Sequence, residues 1–166
     1  HGGGNTSVKT NKKDFFGDKV GVLYVKGSGC DLATIEEEGF APVRIDALLK
    51  MAKLQVLSDP EMVKQQRNAM LERNAPNPSI EAILHAVIPQ KFVDHTHANA
   101  VLALTNQKNG REVVAEVYGD RVAVIPYFMP GFDLAKAVAK TLAKADAQKL
   151  EGIILMNHGI ITVSYT

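Results

Sequence analysis

The chain has 166 residues, 46% of them apolar and 22% charged, which is enough for one folded core and excludes a disordered tail. A formal charge of +1 gives no electrostatic case for nucleic acid or for an anionic membrane surface. A single cysteine excludes an internal disulfide and points to the cytoplasm, and neither a signal peptide nor an apolar run near the roughly 18 residues of a membrane span is visible.

The chain opens on Gly2-Gly3-Gly4-Asn5-Thr6-Ser7, read as a loop, and the basic stretch at 9–13 reads as a solvated turn. Residues 19–26 (KVGVLYVK) are β-branched and aromatic between glycines and predict a strand. Helical spacing of Ile45, Leu48, Leu49, Ala52 and Val56 predicts a helix over 42–57. Asp59-Pro60-Glu61 reads as a helix start with Asp59 as the cap, the helix running to about residue 73. The breaker cluster at 74–78 precedes a helix over 79–87 that stops at Pro89.

Residues 91–96 predict a strand and 98–104 a helix. Residues 112–118 and 121–125 predict two strands joined by Gly119-Asp120. Asp133 caps a predicted helix that carries Leu134, Val138 and Leu142. The apolar stretches 151–156 and 160–164 predict strands separated by Asn157-His158-Gly159. Strands alone and in pairs, mixed with helices, predict a mixed sheet covered by helices. No Met opens the chain, and it stops inside a predicted strand. Residues 1–166 are therefore expected to be a single domain cut at both ends from a longer protein.

Candidate chemistry begins with His95-Thr96-His97. On a strand, residues two apart share a face, so two imidazoles can converge on one cation. Taken alone, the pair also fits two histidines at a strand edge. His158 sits between two apolar strands beside a glycine that lets the backbone turn and aim the ring at the sheet end. Three histidines with an open position suit a catalytic divalent metal better than a closed structural site. Glu81, near a helix start, fits an acid–base role or a favourable interaction with the helix dipole. It misses the capping-box position whether Ser79 or Asn77 is the cap. His85, four residues on, shares its helix face and either pairs with Glu81 or packs.

The loops at 2–7 and 27–29 can offer backbone N–H groups and small hydroxyls to an anion, or can be plain turns. A dinucleotide fingerprint fails because Leu32 stands where its third glycine belongs, and no Walker A sequence is present. Cys30 has no base beside it and reads as a small hydrophobe. Extending His-x-His into an amidohydrolase barrel would need about 250 residues.

In order, Gly4-Asn5-Thr6-Ser7, Lys26-Gly27-Ser28-Gly29, Pro78-Ser79-Ile80-Glu81, His95-Thr96-His97 and Asn157-His158-Gly159 resemble the class II aldolase/adducin family. The glycine run and the insert around 59–77 resemble most the aldolase half of bifunctional rhamnulose-1-phosphate aldolase/alcohol dehydrogenase proteins, in which a short-chain dehydrogenase domain follows. The resemblance implies a three-layer α/β/α sandwich with a largely antiparallel mixed sheet, a zinc ion, and a homo-oligomer, often a cyclic tetramer. It implies His95, His97 and His158 as metal ligands, Glu81 as the acid/base, and Asn5, Ser28, Gly29 and Ser79 in a phosphate pocket.

The implied reaction is cleavage of a ketose 1-phosphate to dihydroxyacetone phosphate and an aldehyde. Related epimerases, decarboxylases and non-catalytic adducin-like domains are the alternatives. Ile80 departs from the pattern of two adjacent hydroxyl residues before the glutamate, and it cannot donate a hydrogen bond through its side chain.

Overall fold

The computed structural model describes residues 3–145 and 149–166; His1 and Gly2 of the opening loop lie outside them. Seven strands form one sheet in the order β3-β2-β1-β4-β7-β6-β5. They are β1 (Asn5–Lys13), β2 (Lys19–Lys26), β3 (Phe40–Arg44), β4 (Phe92–Thr96), β5 (Val122–Ile125), β6 (Gly152–Leu155) and β7 (Gly159–Ser164). Only β5 and β6 pair in parallel; the other five pairings are antiparallel.

Among the described residues six α-helices join them: α1 (Ile45–Ala52), α2 (Asp59–Asn68), α3 (Ala82–Val87), α4 (Asn99–Thr105), α5 (Gly110–Tyr118) and α6 (Phe132–Leu142). Helices α1, α3 and α6 pack together on one face over Leu23, Val25, Val43, Val93, Ile125, Ile153 and Ile161. On the other face α4 and α5 cover β5–β7, with Val101 and Val114 against Ile154. The α/β/α sandwich with a mixed, mostly antiparallel sheet matches the expectation. No helix among the described residues is long and apolar enough to cross a membrane.

Several predicted elements change. The basic stretch at 9–13 is the second half of β1, whose register against β2 runs from Ser7↔Val25 to Lys13↔Lys19. Its inner row is polar (Asn5, Ser7, Lys9), so the strand carries no apolar alternation to find. Residues 42–44 belong to β3, where the Pro42 carbonyl accepts from Leu71 N, and the following helix ends at Ala52. Val56 is 87% exposed and lies on no buried face.

Ser58, not Asp59, caps α2, accepting from Glu61 N at 3.4 Å; Asp59 accepts from Phe132 N at 3.2 Å. The helix also ends earlier, at Asn68. Residues 112–118 are helix α5, not a strand. Val113, Val114, Val117 and Tyr118 repeat at helical intervals, and Gly119 terminates the element with φ +61°. Gly131 rather than Asp133 is the residue before α6. Helix α3 starts at Ala82, so Ser79 and Ile80 precede it and Glu81 stands at its N-terminal boundary.

Candidate metal centre

Strand β4 lies between β1 and β7, which puts Asn5 and Ile161 beside His95. His95 is 1% exposed and its Nδ1 lies 3.1 Å from the carbonyl of Ile160. A carbonyl only accepts, so Nδ1 carries the hydrogen and Nε2 keeps its lone pair. His97 follows the last residue of β4, and its Nε2 stands 3.0 Å from His95 Nε2. Gly3, at φ +112°, lies so close to the His97 ring that a side chain at residue 3 would overlap Nδ1. That close approach is the structural reason for a glycine there.

His158 comes from the turn between β6 and β7. Asn157 adopts φ +59°, and its side-chain amide donates to the Thr105 carbonyl at 3.2 Å and to Asn106 Oδ1 at 3.0 Å. The turn is thereby tied to the C-terminal end of α4, and the His158 ring is carried toward β4. The three ring centroids lie 4.8–4.9 Å apart pairwise. One ligating atom from each of His95, His97 and His158 lies within 4.8 Å of the others.

Burial pushes His95 down to about 4, outweighing its backbone hydrogen bond, with nearby His97 adding to the shift. Burial also holds His158 below its ordinary value, against the opposing pull of Glu81. Neutral rings are the form that binds a cation.

Glu81 is 5% exposed beside this cluster. Its Oε2 lies 3.7 Å from His95 Nε2 and its Oε1 3.8 Å from His158 Nε2. Asn5 Nδ2 donates to Oε2 at 2.7 Å, while Oε1 and His158 Nδ1 are buried without a hydrogen-bond partner. A buried carboxylate oxygen left unpaired costs free energy unless something polar joins it. Three imidazole donors, one with its second nitrogen fixed by backbone, and an open carboxylate oxygen alongside fit a divalent cation with a vacant coordination position.

The structure brings Asn5 and Ser79 to the same place. Asn5 Nδ2 donates to Ser79 Oγ at 3.0 Å, and Ser79 is 6% exposed. Ser79 Oγ also accepts from Glu81 N at 3.3 Å, so its own hydrogen is left to donate. The loop at 27–29 is joined to this segment through Ser28 N to the Asn77 carbonyl, at 2.7 Å, and through the Gly27–Pro78 bridge. Ser28 and Gly29 themselves are exposed. Ile80 packs against the hydrophobic core.

His85 does not pair with Glu81 through its ring. It is fully buried against Ser7 and Asn5 instead. Sequence reasoning placed Ser7 in an anion-binding loop; the structure puts it in β1, with its hydroxyl on His85. The available signal was the polar residue at every second position, Asn5 and Ser7, continuing into a strand.

The family described as the Class II Aldolase and Adducin N-terminal domain matches residues 1–166. The chain belongs to the class II aldolase/adducin family. Within it, a structure of the N-terminal class II aldolase domain of a conserved protein from Thermoplasma acidophilum is 42% identical, at a TM-score of 0.90, covering 99% of this chain and 75% of that one. The uncharacterized oxidoreductase YuxG of Bacillus subtilis (strain 168) is 40% identical over 161 residues; the match covers 97% of this chain and 23% of that protein. An L-fuculose 1-phosphate aldolase shares the fold, with a TM-score of 0.61 and 18% identity over 99% of this chain and 66% of its own. The chain thus has a class II, metal-dependent aldolase-like catalytic fold, with a three-histidine cluster able to coordinate a divalent metal.

Proposed function

We propose that the protein is a zinc-dependent aldolase that reversibly cleaves a ketose 1-phosphate to dihydroxyacetone phosphate and an aldehyde. The reading is carried by one juxtaposition: three imidazoles with a ligating atom each within 4.8 Å, and a buried carboxylate with one oxygen open beside them. His95, His97 and His158 would hold the metal. When bound, that metal supplies Lewis-acid stabilisation of the negative charge that develops next to the substrate carbonyl, worth several kcal/mol.

The chain's own residues do the rest. In cleavage the hydroxyl on the breaking C–C bond gives up its proton as it becomes the aldehyde carbonyl. Glu81 Oε1, unpartnered and facing the cluster, takes up that proton and passes it to the carbon left electron-rich; in the synthetic direction it removes the proton from carbon and returns it to the new hydroxyl. Asn5, expected in the phosphate pocket, has its amide hydrogens on Ser79 and Glu81; it borders that pocket through Ser79 and holds the other carboxylate oxygen at 2.7 Å, which fixes the oxygen that is free. The Ser79 hydroxyl, with the Ser28 hydroxyl and the Gly29 N–H of the loop joined to it through 77–79, would take the phosphate and orient the reacting bond. Ile80 turns to the core and gives no second hydroxyl, so this grip depends on fewer donors.

The named activity of the L-fuculose 1-phosphate aldolase makes a ketose 1-phosphate the first substrate class to assay, with rhamnulose 1-phosphate as the first candidate. The match to 23% of a protein described as an oxidoreductase supports a place as the aldolase domain of a longer, dehydrogenase-containing protein. We place that protein in the cytoplasm as a homo-oligomer.

The test is release of dihydroxyacetone phosphate together with metal analysis. Glu81→Gln is expected to lower turnover by about 100-fold or more while metal content stays at the wild-type level. His95→Ala is expected to lose both. Near-full turnover by Glu81→Gln would overturn the reading, and release of CO₂ in place of dihydroxyacetone phosphate would move the activity to a decarboxylase.

A further inference from the structure

His85 is buried to 0% exposure in the middle of α3, yet both of its ring nitrogens are engaged. Nδ1 lies 2.7 Å from Ser7 Oγ, and Nε2 meets Asn5 Oδ1. The amide of Asn5 is engaged on its other side as well, giving one hydrogen to Ser79 Oγ at 3.0 Å and one to Glu81 Oε2 at 2.7 Å. A continuous buried chain therefore runs from Ser7 through His85 and Asn5 to Glu81. It joins β1, α3 and the segment before α3.

The direction of every hydrogen in this chain follows from its carboxylate end. Asn5 Nδ2 is the atom that faces Glu81 Oε2 and Ser79 Oγ, so the amide presents its NH₂ on that side and the carboxylate oxygen accepts. Its Oδ1 then faces His85 and must be given a hydrogen, so Nε2 of His85 carries one. A neutral imidazole carries only one, which leaves Nδ1 as an acceptor for the Ser7 hydroxyl. Burial keeps the ring neutral, pushing it down to about 3, with His95 and Lys9 acting in the same sense. A second ring proton on Nδ1 would turn that acceptor into a donor.

We propose that His85 is a positioning residue which, together with Ser7, fixes the orientation of the Asn5 amide so that one Glu81 oxygen is held and the other is left open toward the three histidines. The proposal rests on the reading of Glu81 as the acid/base. Without the His85 donor, the Asn5 amide is free to turn over. It would then aim Oδ1 at the carboxylate, and two acceptors would face each other where a donor had stood. The carboxylate would lose its fixed partner, and its open oxygen would lose its aim. His85 has no exposed surface from which to touch substrate, so it acts only through Asn5: chiefly on the proton-transfer step at Glu81, and secondarily on Ser79, which the same amide holds.

Two measurements test this. The first is ¹⁵N NMR of the ring-labelled protein, which reads the tautomer directly and requires no turnover. His85 is expected as the single Nε2–H tautomer in the wild type and as a mixture in Ser7→Ala. The second is steady-state cleavage of L-rhamnulose 1-phosphate and L-fuculose 1-phosphate by variants of matched metal content. His85→Phe is expected to lower kcat by about 10- to 100-fold, with a smaller rise in KM through the Asn5–Ser79 bond. His85→Gln, which keeps one donor and one acceptor, is expected to recover part of that loss.

An Nδ1–H tautomer in the wild type would overturn the proposal. So would unchanged kcat in His85→Phe alongside an inactive Glu81→Gln. If His85→Phe does not fold, Ser7→Ala and His85→Gln carry the kinetic comparison, and wild-type kcat in both overturns the proposal. Turnover by Glu81→Gln would overturn the acid–base reading itself, and the tautomer reports His85 separately.

Discussion

Asn157 offers a way to weigh the backbone geometry that delivers His158. Its φ of +59° lies in the left-handed region, where a residue with a β-carbon is disfavoured and asparagine is among the better tolerated. Its side chain also makes the two bonds to Thr105 and Asn106 at the end of α4. In Asn157→Ala both contributions are lost. The backbone conformation costs about 1 kcal/mol more for Ala than for Asn, and the two bonds, partly exposed, contribute about 0.5 kcal/mol each.

The expected destabilisation is therefore about 2 kcal/mol, a fall in Tm of roughly 4–8 °C for a chain of this size. Asn157→Gly separates the terms, because glycine adopts the same φ without penalty and loses only the side-chain bonds, leaving about 1 kcal/mol. Denaturant unfolding of both variants gives the stabilities, and a competition titration against a chelator gives the zinc affinity. Affinity is expected to fall further in Ala than in Gly, since the displaced turn carries His158. Loss below about 0.5 kcal/mol in Asn157→Ala, or a Gly variant less stable than the Ala variant, would refute the reasoning.

Gly159→Ala is expected to lower the affinity for an added divalent metal by about 10-fold or more and stability by about 1–3 kcal/mol. A β-carbon there would run into the Thr96 carbonyl oxygen and stand 3.1 Å from His95 Cε1, so backbone or ring must move. Unchanged affinity in the chelator titration would show that the β4–β7 pair absorbs the methyl. Stability is also expected to depend on pH through His85. Its folded value of about 3 lies below the ordinary 6.5, so the unfolded chain binds the extra proton first. The stability present above pH 6.5 is lost as pH falls toward 3, at up to about 1.4 kcal/mol per pH unit for this one group. Denaturant midpoints at pH 7 and pH 5 are expected to differ less in His85→Phe than in the wild type, and equal differences would contradict the assignment.

What the sequence made legible followed local periodicity. Strands β2, β4, β6 and β7 stood out because β-branched residues run between turn residues. Helix α5 did not. Its valines are strand formers, and only the i, i+1, i+4, i+5 spacing that faces Val114 inward marks it as helical. Strand β1 was hidden for the opposite reason, because its inner face carries Asn5, Ser7 and Lys9 where a hydrophobic row would normally be. The histidine cluster was legible because His95 and His97 sit at strand spacing and His158 at a turn beside glycine. The partnership of His85 with Ser7 and Asn5 depends on the antiparallel pairing of β1 with β2 and β4, which no local pattern encodes.

Unpaired buried atoms do not by themselves mark a site. Gln66 in α2 buries both atoms of its amide without a partner, as Glu81 does with Oε1. The difference lies in what surrounds each atom. Two imidazole nitrogens stand within 4 Å of the Glu81 carboxylate, and its other oxygen is already held by Asn5. A neutral amide left unpaired costs a few kcal/mol and nothing more follows from it. A carboxylate held at one oxygen and open at the other, against three rings whose nitrogens converge, is arranged for a charge that is not its own. The same end of the sheet also gathers the left-handed conformations of Gly3, Gly4 and Asn157. A left-handed asparagine, incomplete hydrogen bonding and converging ring nitrogens meet there together, and that coincidence separates the candidate metal centre from an ordinary packing fault.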